Sequence, residues 1–543
     1  MTDRREFLKA AVAFAAPLRA PSAVSSSQMK PTMPARASFE FEEATVADLT
    51  ARMANGSLTS SRLASAYLDR IASIDGGPTG LRSVIETNPK AIEIASSLDA
   101  ERSAGKVRGP LHGIPVLIKD NIETADGMAT SAGSLALAAH RARKDAFLAE
   151  RLRAAGAVIL GKTNLSEWAN FRSTKSSSGW SGRGGQCRNP YALDRNPCGS
   201  SSGSGAAGAA NLSALTIGTE TDGSIVCPSS ANGLVGIKPT LGLVSRSGII
   251  PIAHSQDTAG PMCRSVADAA ALLSAIVGMD ARDAATASSA GHVSRDYREF
   301  LDAGGLKGAR IGIGRKFFGR DARVDQLVED AIAAMKDAGA VIVDGCELSA
   351  GSEYGDSEFE VLLYEFKADL NAFLATVDPA LGIRTMEDVI RFNDANKERE
   401  MPFFGQEIFL QAVKKAGLES KEYREALAKN LKASRTDGID KALAKDRLDA
   451  IVAPTGGPAW LTDHVNGDSS GGVSSSQPPA VAGYPAITVP AGFISGLPIG
   501  VTLMGPAWSE GKLIKYAYAF EQATKHRKAP TLAPTVPLPG GRA

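Results

Sequence analysis

The stretch from Arg195 to Thr240, RNPCGSSSGSGAAGAANLSALTIGTETDGSIVCPSSANGLVGIKPT, is more informative about the fold than any other part of this chain. A serine run at 200–202 leads into an alanine-rich segment at 205–215 that lacks proline, which predicts a closely packed helix. A second serine, Ser224, follows a glycine in a turn, and a strand-like apolar segment comes next. Because the serine run lies between apolar elements, a flexible linker there would interrupt the core.

Helical and strand-like segments alternate along the rest of the chain, without an internal repeat or a clean break. The apolar runs predict strands at 113–117, 158–160, 234–237, 248–251, 309–314, 340–343, 450–454, 486–490 and 499–504. Apolar spacing predicts helices between 45 and 75 and at 88–105, 147–154, 266–277, 324–338 and 511–525, and a mostly helical, charged region at 357–448. This pattern predicts an α/β fold, a single large domain with a central mixed β-sheet surrounded by helices.

Composition excludes several classes of function. The chain has 543 residues, and its 60 basic and 59 acidic side chains give a net charge of +1 without a long basic run, so nucleic acid is not expected as a partner. The five cysteines are scattered, and neither CxxC nor HExxH occurs, so neither a metal site nor a dithiol site is expected. Cys198 is interpreted as a small packing residue rather than a reactive thiol.

The N-terminus differs from the rest of the sequence. Arg4 and Arg5 precede a weakly apolar stretch at 10–18 and a tail of small residues, which resembles the twin-arginine export signal of bacteria. We therefore predict a signal peptide at 1–23, a linker at 24–40, the main domain at 41–530 and a tail at 531–543. A periplasmic or secreted protein is expected, or a cytoplasmic one if the signal is not used. The alternative is a frayed amphipathic terminus, and no segment is apolar enough for stable membrane insertion.

Ser224 lies in the turn GTETDGS, where the preceding glycine allows successive backbone N–H groups to point at one place. Such groups can stabilise an oxyanion, although an ordinary turn with a solvated serine gives the same pattern. The run at 199–203 also matches GxSxG, which would make Ser201 a nucleophile with His464 or His526 as base. That motif needs an apolar strand before it, and residues 193–198 are turn-like, so the match is disfavoured.

Lys119 follows the apolar run GIPVLI and completes the candidate set. A lysine there usually extends its ammonium group to the surface. If it is buried, however, its pKa falls and the neutral amine can act as a general base. A lysine with two serines forms a recognised variant of the serine–histidine triad, so the combination predicts hydrolysis of amide bonds.

The motifs GIPVLIKDN, NPCGSSSGSGAA, IGTETDGSIVCPSS, GLVGIKPT, SQDTAGPM, AGYPAITVPAG and LPIGVTLMG together resemble the amidase signature family, and within it the bacterial peptide amidases. The resemblance implies a catalytic triad of Lys119, Ser200 and Ser224, with a cis peptide bond at Ser200 and Ser224 as the nucleophile. It also implies an oxyanion hole from the backbone N–H groups of Thr221, Asp222, Gly223 and Ser224. No metal and no organic cofactor is implied. The chain departs from the family at Cys198, where a glycine is common.

Three functions compete at this point: a free-standing amide hydrolase, the glutaminase-type subunit of a tRNA-dependent amidotransferase, and a catalytically inactive binding protein. The expected partner is a small-molecule or peptide amide substrate, with no obligate protein partner. The segments expected to line the acyl pocket are Trp180 with the loop 172–187, the helical region 357–448 and the loop 456–476. C-terminal peptide amides are favoured over aliphatic and aryl amides by the resemblance alone.

Overall fold

The computed structural model describes residues 39–77, 79–348 and 353–537. The chain divides into two units, Met1–Glu40 and Phe41–Ala543. The predicted signal peptide and nearly all of the predicted linker lie outside the described residues, as do the last six residues of the predicted tail. No helix within the described ranges combines the length and the apolar character that crossing a bilayer requires.

Thirteen strands are present in the described part of the chain. They are β1 (Val84–Thr87), β2 (Pro115–Lys119), β3 (Val158–Thr163), β4 (Trp180–Ser181), β5 (Gly185–Gln186), β6 (Leu215–Glu220), β7 (Val235–Lys238), β8 (Thr258–Cys263), β9 (Arg310–Ile313), β10 (Val341–Val343), β11 (Ala450–Pro454), β12 (Ala486–Ile494) and β13 (Leu497–Met504).

Sixteen α-helices surround these strands in the same ranges. They are α1 (Val46–Ala54), α2 (Ser60–Ile74), α3 (Ala91–Ser103), α4 (Phe147–Ala154), α5 (Ser202–Ala209), α6 (Val226–Ala231), α7 (Val266–Ile276), α8 (Ala322–Asp337), α9 (Gly355–Leu374), α10 (Met386–Ala395), α11 (Lys397–Glu400), α12 (Glu407–Ala412), α13 (Lys421–Leu431), α14 (Asp440–Asp446), α15 (Gln477–Ala482) and α16 (Glu510–Thr524).

Eleven of the strands form one sheet, in the order β1-β3-β2-β6-β8-β7-β12-β13-β11-β9-β10, and β4 pairs with β5 in a separate hairpin. The sheet is mixed: β2 runs parallel to β3 and β6, whereas β6 runs antiparallel to β8. Every residue of β2, β6 and β8 is buried, so both faces of the central strands are covered. The predicted single α/β domain with a central mixed sheet is therefore confirmed.

Two of the predicted elements differ from the structure. The helix expected at 205–215 is α5, which starts at Ser202 and ends at Ala209, and Leu215 begins β6. Strand β6 was not expected because a glycine interrupts the β-branched residues of its sequence, LTIGTE, and weakens the strand pattern. The strand expected at 248–251 is reduced to one isolated bridge between Ile122 and Ile249.

Candidate active site

Lys119 ends the central strand β2, and its side chain is fully buried. Its Nζ atom lies 2.8 Å from Ser200 Oγ and 2.9 Å from Thr219 Oγ1, and it donates to the Thr219 carbonyl oxygen at 3.2 Å. Burial lowers the pKa of Lys119 to about 7, although Asp257 and Glu220 act in the opposite direction. The amine is therefore partly neutral near pH 7, as a general base must be.

Ser200 lies in the turn that enters α5, after a cis peptide bond between Gly199 and Ser200. Gly199 has no room for a side chain, since an added Cβ would lie 2.3 Å from Ser166 Oγ. Ser202, at the start of α5, donates to the Cys198 carbonyl oxygen at 2.6 Å. This close packing holds the Ser200 hydroxyl against the lysine amine.

Ser224 lies in the loop between β6 and α6, where Gly223 has a positive φ of 76°. None of the backbone N–H groups of residues 221–224 donates to another described residue, whereas those of Ile225 and Val226 donate to Glu220 Oε2 at 2.7 and 3.0 Å. The loop thus presents unpaired donors beside the Ser224 hydroxyl, which itself has no hydrogen bond to a described residue. This arrangement can stabilise a developing oxyanion.

Two side chains attach the loop 221–224, called the oxyanion loop below, to the segment 249–257. Thr221 Oγ1 donates to Asp257 Oδ1 at 2.6 Å, while Asp257 Oδ2 accepts the N–H groups of Ile252 and Ala253 at 2.8 and 2.9 Å. Gln256 Nε2 donates to the Thr221 carbonyl oxygen at 3.2 Å. Burial raises the pKa of Asp257 to about 6, so this carboxyl group titrates in nearly the same pH range as Lys119.

A carboxyl pair on the other side of this loop was missed in the sequence. Glu358 of α9 accepts from Gln256 Nε2 at 3.0 Å and also from Gln477, and its charge acts on Asp222. Burial, together with the Glu358 charge, raises the pKa of Asp222 well above its usual range. The Asp222 Oδ1 and Tyr354 Oη atoms are buried without a hydrogen-bond partner in the described residues. No motif signals this pair, because its two members are far apart in sequence.

A cavity of about 400 Å³ adjoins the lysine side of the site. Asn121, which donates to Thr219 Oγ1 at 3.0 Å, lines the cavity together with Thr219 and Thr221. The remaining wall combines apolar with charged side chains, among them Ile249, Ile250, Phe373, Arg246, Asp257 and Asp369. Its volume is within the range of small-molecule sites.

One group of side chains at this cavity has the composition of a metal site. The ligand atoms of His254, Glu365 and Asp369 lie within 4.8 Å of one another. They already bond among themselves and with a neighbour, since His254 Nδ1 lies 2.8 Å from Asp369 Oδ2 and Tyr423 Oη donates to Glu365 at 2.7 Å. These bonds account for the cluster as a hydrogen-bonded network.

The interpretation of Cys198 as a packing residue is wrong. Cys198 forms a disulfide with Cys227, and the two Cα atoms are 6.1 Å apart. The turn before Ser200 and the helix after Ser224 bring the two residues together across 29 positions of sequence. Sequence spacing alone gave no sign of this contact.

The alternative centred on Ser201 has no support in the geometry. Ser201 Oγ donates to the Thr219 carbonyl oxygen at 3.0 Å, so its hydroxyl is bonded to the backbone of β6. His464 stacks on Phe403 with ring centroids 4.1 Å apart, and His526 lies beside Phe520 at 6.2 Å. Neither histidine forms a hydrogen bond with Ser201 within the described ranges.

Trp180 and the loop 172–187 pack against the helical region, but none of these loop residues lines the cavity described above. The Trp180 ring contacts Phe403 and Phe404, with centroids 5.6 and 5.2 Å apart. The fully buried Arg172 pairs with Glu167 and donates to the Glu400 carbonyl oxygen at 2.6 Å. The helical region is thereby fixed to the loop.

A family model described as Amidase matches residues 62–514 of the chain. This chain belongs to the amidase family. The crystal structure of native peptide amidase from Stenotrophomonas maltophilia is 52% identical with a TM-score of 0.86, over 91% of this chain and all of that one. A protein named probable amidase from Arabidopsis thaliana is 43% identical over 91% of this chain and 92% of its own length.

A glutamyl-tRNA(Gln) amidotransferase subunit from Symbiobacterium thermophilum is more distant, at 36% identity over 90% of this chain and 97% of its own length. The amidase family, together with its solved members, identifies this protein as an amide hydrolase and favours that function over the glutaminase-type role in an amidotransferase.

Proposed function

We propose that this amidase hydrolyses carboxamides with Ser224 as the nucleophile, Ser200 as the proton bridge and Lys119 as the base. The observation that carries the proposal is the 2.8 Å contact between Lys119 Nζ and Ser200 Oγ, made by a lysine whose pKa burial lowers to about 7. The unpaired N–H groups at 221–224 add the second requirement of acyl transfer, a site for the oxyanion.

The proton moves in two steps in this mechanism. Neutral Lys119 accepts the proton of Ser200 while Ser200 accepts that of Ser224, and the Ser224 oxygen attacks the amide carbon. The four N–H groups bind the tetrahedral oxyanion, and the proton returns through Ser200 to the leaving nitrogen. Water then enters the same relay and hydrolyses the acyl-enzyme.

For the substrate we propose C-terminal peptide amides. The name of the 52% identical peptide amidase supports this choice. So does the cavity beside Thr221, whose wall combines apolar side chains with Arg246 and Asp369 and therefore suits a chain that has both apolar and polar groups.

We further propose that the protein is exported. Paired arginines precede the apolar stretch at 10–18. The disulfide between Cys198 and Cys227 supports the same conclusion, because disulfides persist in oxidising compartments. The test is the location of the full-length chain in a bacterial host, compared with a variant carrying Arg4→Lys and Arg5→Lys. Equal export of both would contradict the proposal.

The test of the activity is ammonia release by the purified full-length chain from peptide amides, aliphatic amides, aryl amides and glutamine. Ser224→Ala should reduce turnover by about 10⁴-fold or more. Ser229→Ala is the matched control, since Ser229 is a fully buried serine whose hydroxyl has no partner in the described residues. Release that persists in Ser224→Ala would refute the assigned nucleophile. Release from glutamine alone would refute the proposed substrate class.

A further inference from the structure

The disulfide joins the two segments that carry the candidate catalytic serines. Cys198 lies two residues before Ser200, and Cys227 lies three residues after Ser224, in the first turn of α6. Between them the chain forms α5 and β6. One covalent bond therefore links the turn that presents the Ser200 hydroxyl to the helix that follows the Ser224 hydroxyl.

The direct hydrogen bond between these segments is long. Ser201 N donates to the Ser224 carbonyl oxygen at 3.3 Å, beyond the usual N–H···O distance of about 2.9–3.0 Å. A second hydrogen bond lies farther from the two serines in sequence: Asn232 Nδ2 donates to the Pro197 carbonyl oxygen at 2.9 Å. Lys119 bonds both to Ser200, at 2.8 Å, and to Thr219 Oγ1 at the end of β6, at 2.9 Å, but it forms no hydrogen bond with Ser224 in the described part of the chain. Ser201 Oγ also donates to the Thr219 carbonyl oxygen at 3.0 Å, and the disulfide adds a covalent link to these hydrogen bonds between the two serine segments.

We propose that the Cys198–Cys227 disulfide is a positioning element of the active site, which sets the distance between Ser200 and Ser224, and that its reduction slows catalysis while the fold persists. The proposal rests on the proposed function, because it requires Ser200 to pass a proton between Lys119 and Ser224. A misplacement of about 1 Å in such a relay can reduce the rate by about 100-fold.

The fold has other support around both cysteines. Strand β6, which lies between them in sequence, pairs with β2 and β8 in the centre of the sheet. Helix α5 consists entirely of buried residues. Loss of the disulfide is therefore expected to alter the local position of the serine segments rather than to unfold the domain.

The three remaining cysteines are not expected to take part in thiol–disulfide exchange. Cys187, Cys263 and Cys346 are buried, and burial raises the pKa of each thiol, that of Cys346 to about 11. They are thus poor thiolate nucleophiles. Cys227 is half-buried, whereas Cys198 is buried, so a reductant is expected to reach the sulfur of Cys227 first.

The reduction is an exchange with a dithiol. A thiolate of the dithiol attacks Cys227 Sγ, the S–S bond breaks, and Cys198 leaves as a thiolate that takes up a proton. The second thiolate of the reagent then displaces Cys227 and closes a cyclic disulfide. The protein gains two electrons and two protons, and the dithiol loses the same number.

The experiment compares the oxidised and the dithiol-reduced full-length chain by two readouts. The first is the rate at which a small sulfonyl fluoride modifies Ser224, followed by intact mass, because this rate reports activation of the nucleophile without any assumption about the substrate. The second is kcat and KM on the best amide. Alkylation counts the thiols released, and circular dichroism follows the fold.

We expect both the labelling rate and kcat to fall by about 10- to 100-fold when two further thiols appear. KM should change by less than about threefold, the circular dichroism should stay constant, and reoxidation should restore the rates. The Cys198→Ser/Cys227→Ser double variant should behave as the reduced enzyme, and Cys346→Ser, at a buried free cysteine, should behave as the oxidised wild type.

Equal labelling rates before and after release of the two thiols would overturn the proposal. So would a loss of circular dichroism in step with the loss of labelling, since the disulfide would then support the whole fold. If the double variant does not fold, the comparison within the wild-type chain decides. Labelling that depends on the disulfide without turnover of any amide would refute only the proposed substrate class, and absence of labelling in the oxidised chain would refute both proposals.

Discussion

Acidification is expected to inactivate the enzyme through Lys119. The pKa of its amine is lowered from 10.5 to about 7 by burial. At pH 7 about half of the molecules therefore carry the neutral base, whereas an exposed lysine would be neutral in only about 1 in 3,000. Below this pKa the neutral fraction falls about tenfold per pH unit, so kcat/KM at pH 5 should be about 100-fold below its plateau. The assay is kcat/KM from about pH 4.5 to 9 on an amide without ionisable groups.

The Asp257→Asn variant separates this cause from other titrations. The negative charge of Asp257 raises the pKa of Lys119, against the effect of burial. Removal of that charge should shift the acid limb of the profile to lower pH. An acid limb at the same pH in both proteins would assign it to another group, and activity that stays flat down to about pH 4 would refute Lys119 as the base. Circular dichroism over the same range provides the control for unfolding.

Three further predictions concern stability and backbone geometry. Lys119→Met should abolish turnover and yet stabilise the fold below pH 7. The pKa of Lys119 is lower in the folded than in the unfolded chain, so its burial costs about 5 kcal/mol below pH 7, and this cost disappears as the pH rises to 10.5. The free energy of unfolding in urea at about pH 6 should therefore be higher for the variant than for the wild type. A lower stability of this variant would contradict the assigned pKa. Arg172→Ala should destabilise the fold by about 3–5 kcal/mol, because it leaves Glu167 and Glu400 buried without their cation; a change below about 1 kcal/mol in urea unfolding would show that the pair is dispensable. Gly223→Ala should reduce kcat by about 10-fold or more, because its φ of 76° is strained for alanine and the new Cβ would lie 3.0 Å from Ser476 Oγ; wild-type kcat would show that the oxyanion loop tolerates the change.

The sequence was sufficient for the parts of the site that lie in local motifs. Lys119 follows a run of apolar residues that forms a buried strand, and Ser224 follows a glycine whose positive φ the turn requires. The contact between Lys119 and Ser200, 81 positions apart, was expected from the family resemblance rather than from the residues themselves. Local pattern predicts the element that carries a side chain, but not which elements become neighbours.

The parts that were missed depend on contacts between distant segments. Cys198 and Cys227 meet only because the turn before Ser200 packs against the start of α6, and neither residue has a pattern that marks the other. Asp222 and Glu358 become neighbours because α9 lies over the oxyanion loop, a contact that Gln256 completes by bonding to both Glu358 and Thr221. Such placements follow from the packing of the helical region on the sheet, which the sequence pattern does not determine.

The mechanism requires a neutral Lys119 and favours a neutral Asp222 beside Ser224, and the same physical effect acts on both groups. An ionised Asp222 beside the N–H groups of 221–224 would oppose the negative charge of the oxyanion, since like charges in a buried site repel strongly. Burial and the neighbouring Glu358 raise the pKa of Asp222 well above its usual range, which disfavours its ionised form. Burial also keeps Lys119 partly neutral near pH 7. Desolvation by burial therefore both lowers the pKa of the base and opposes ionisation of Asp222 beside the oxyanion donors.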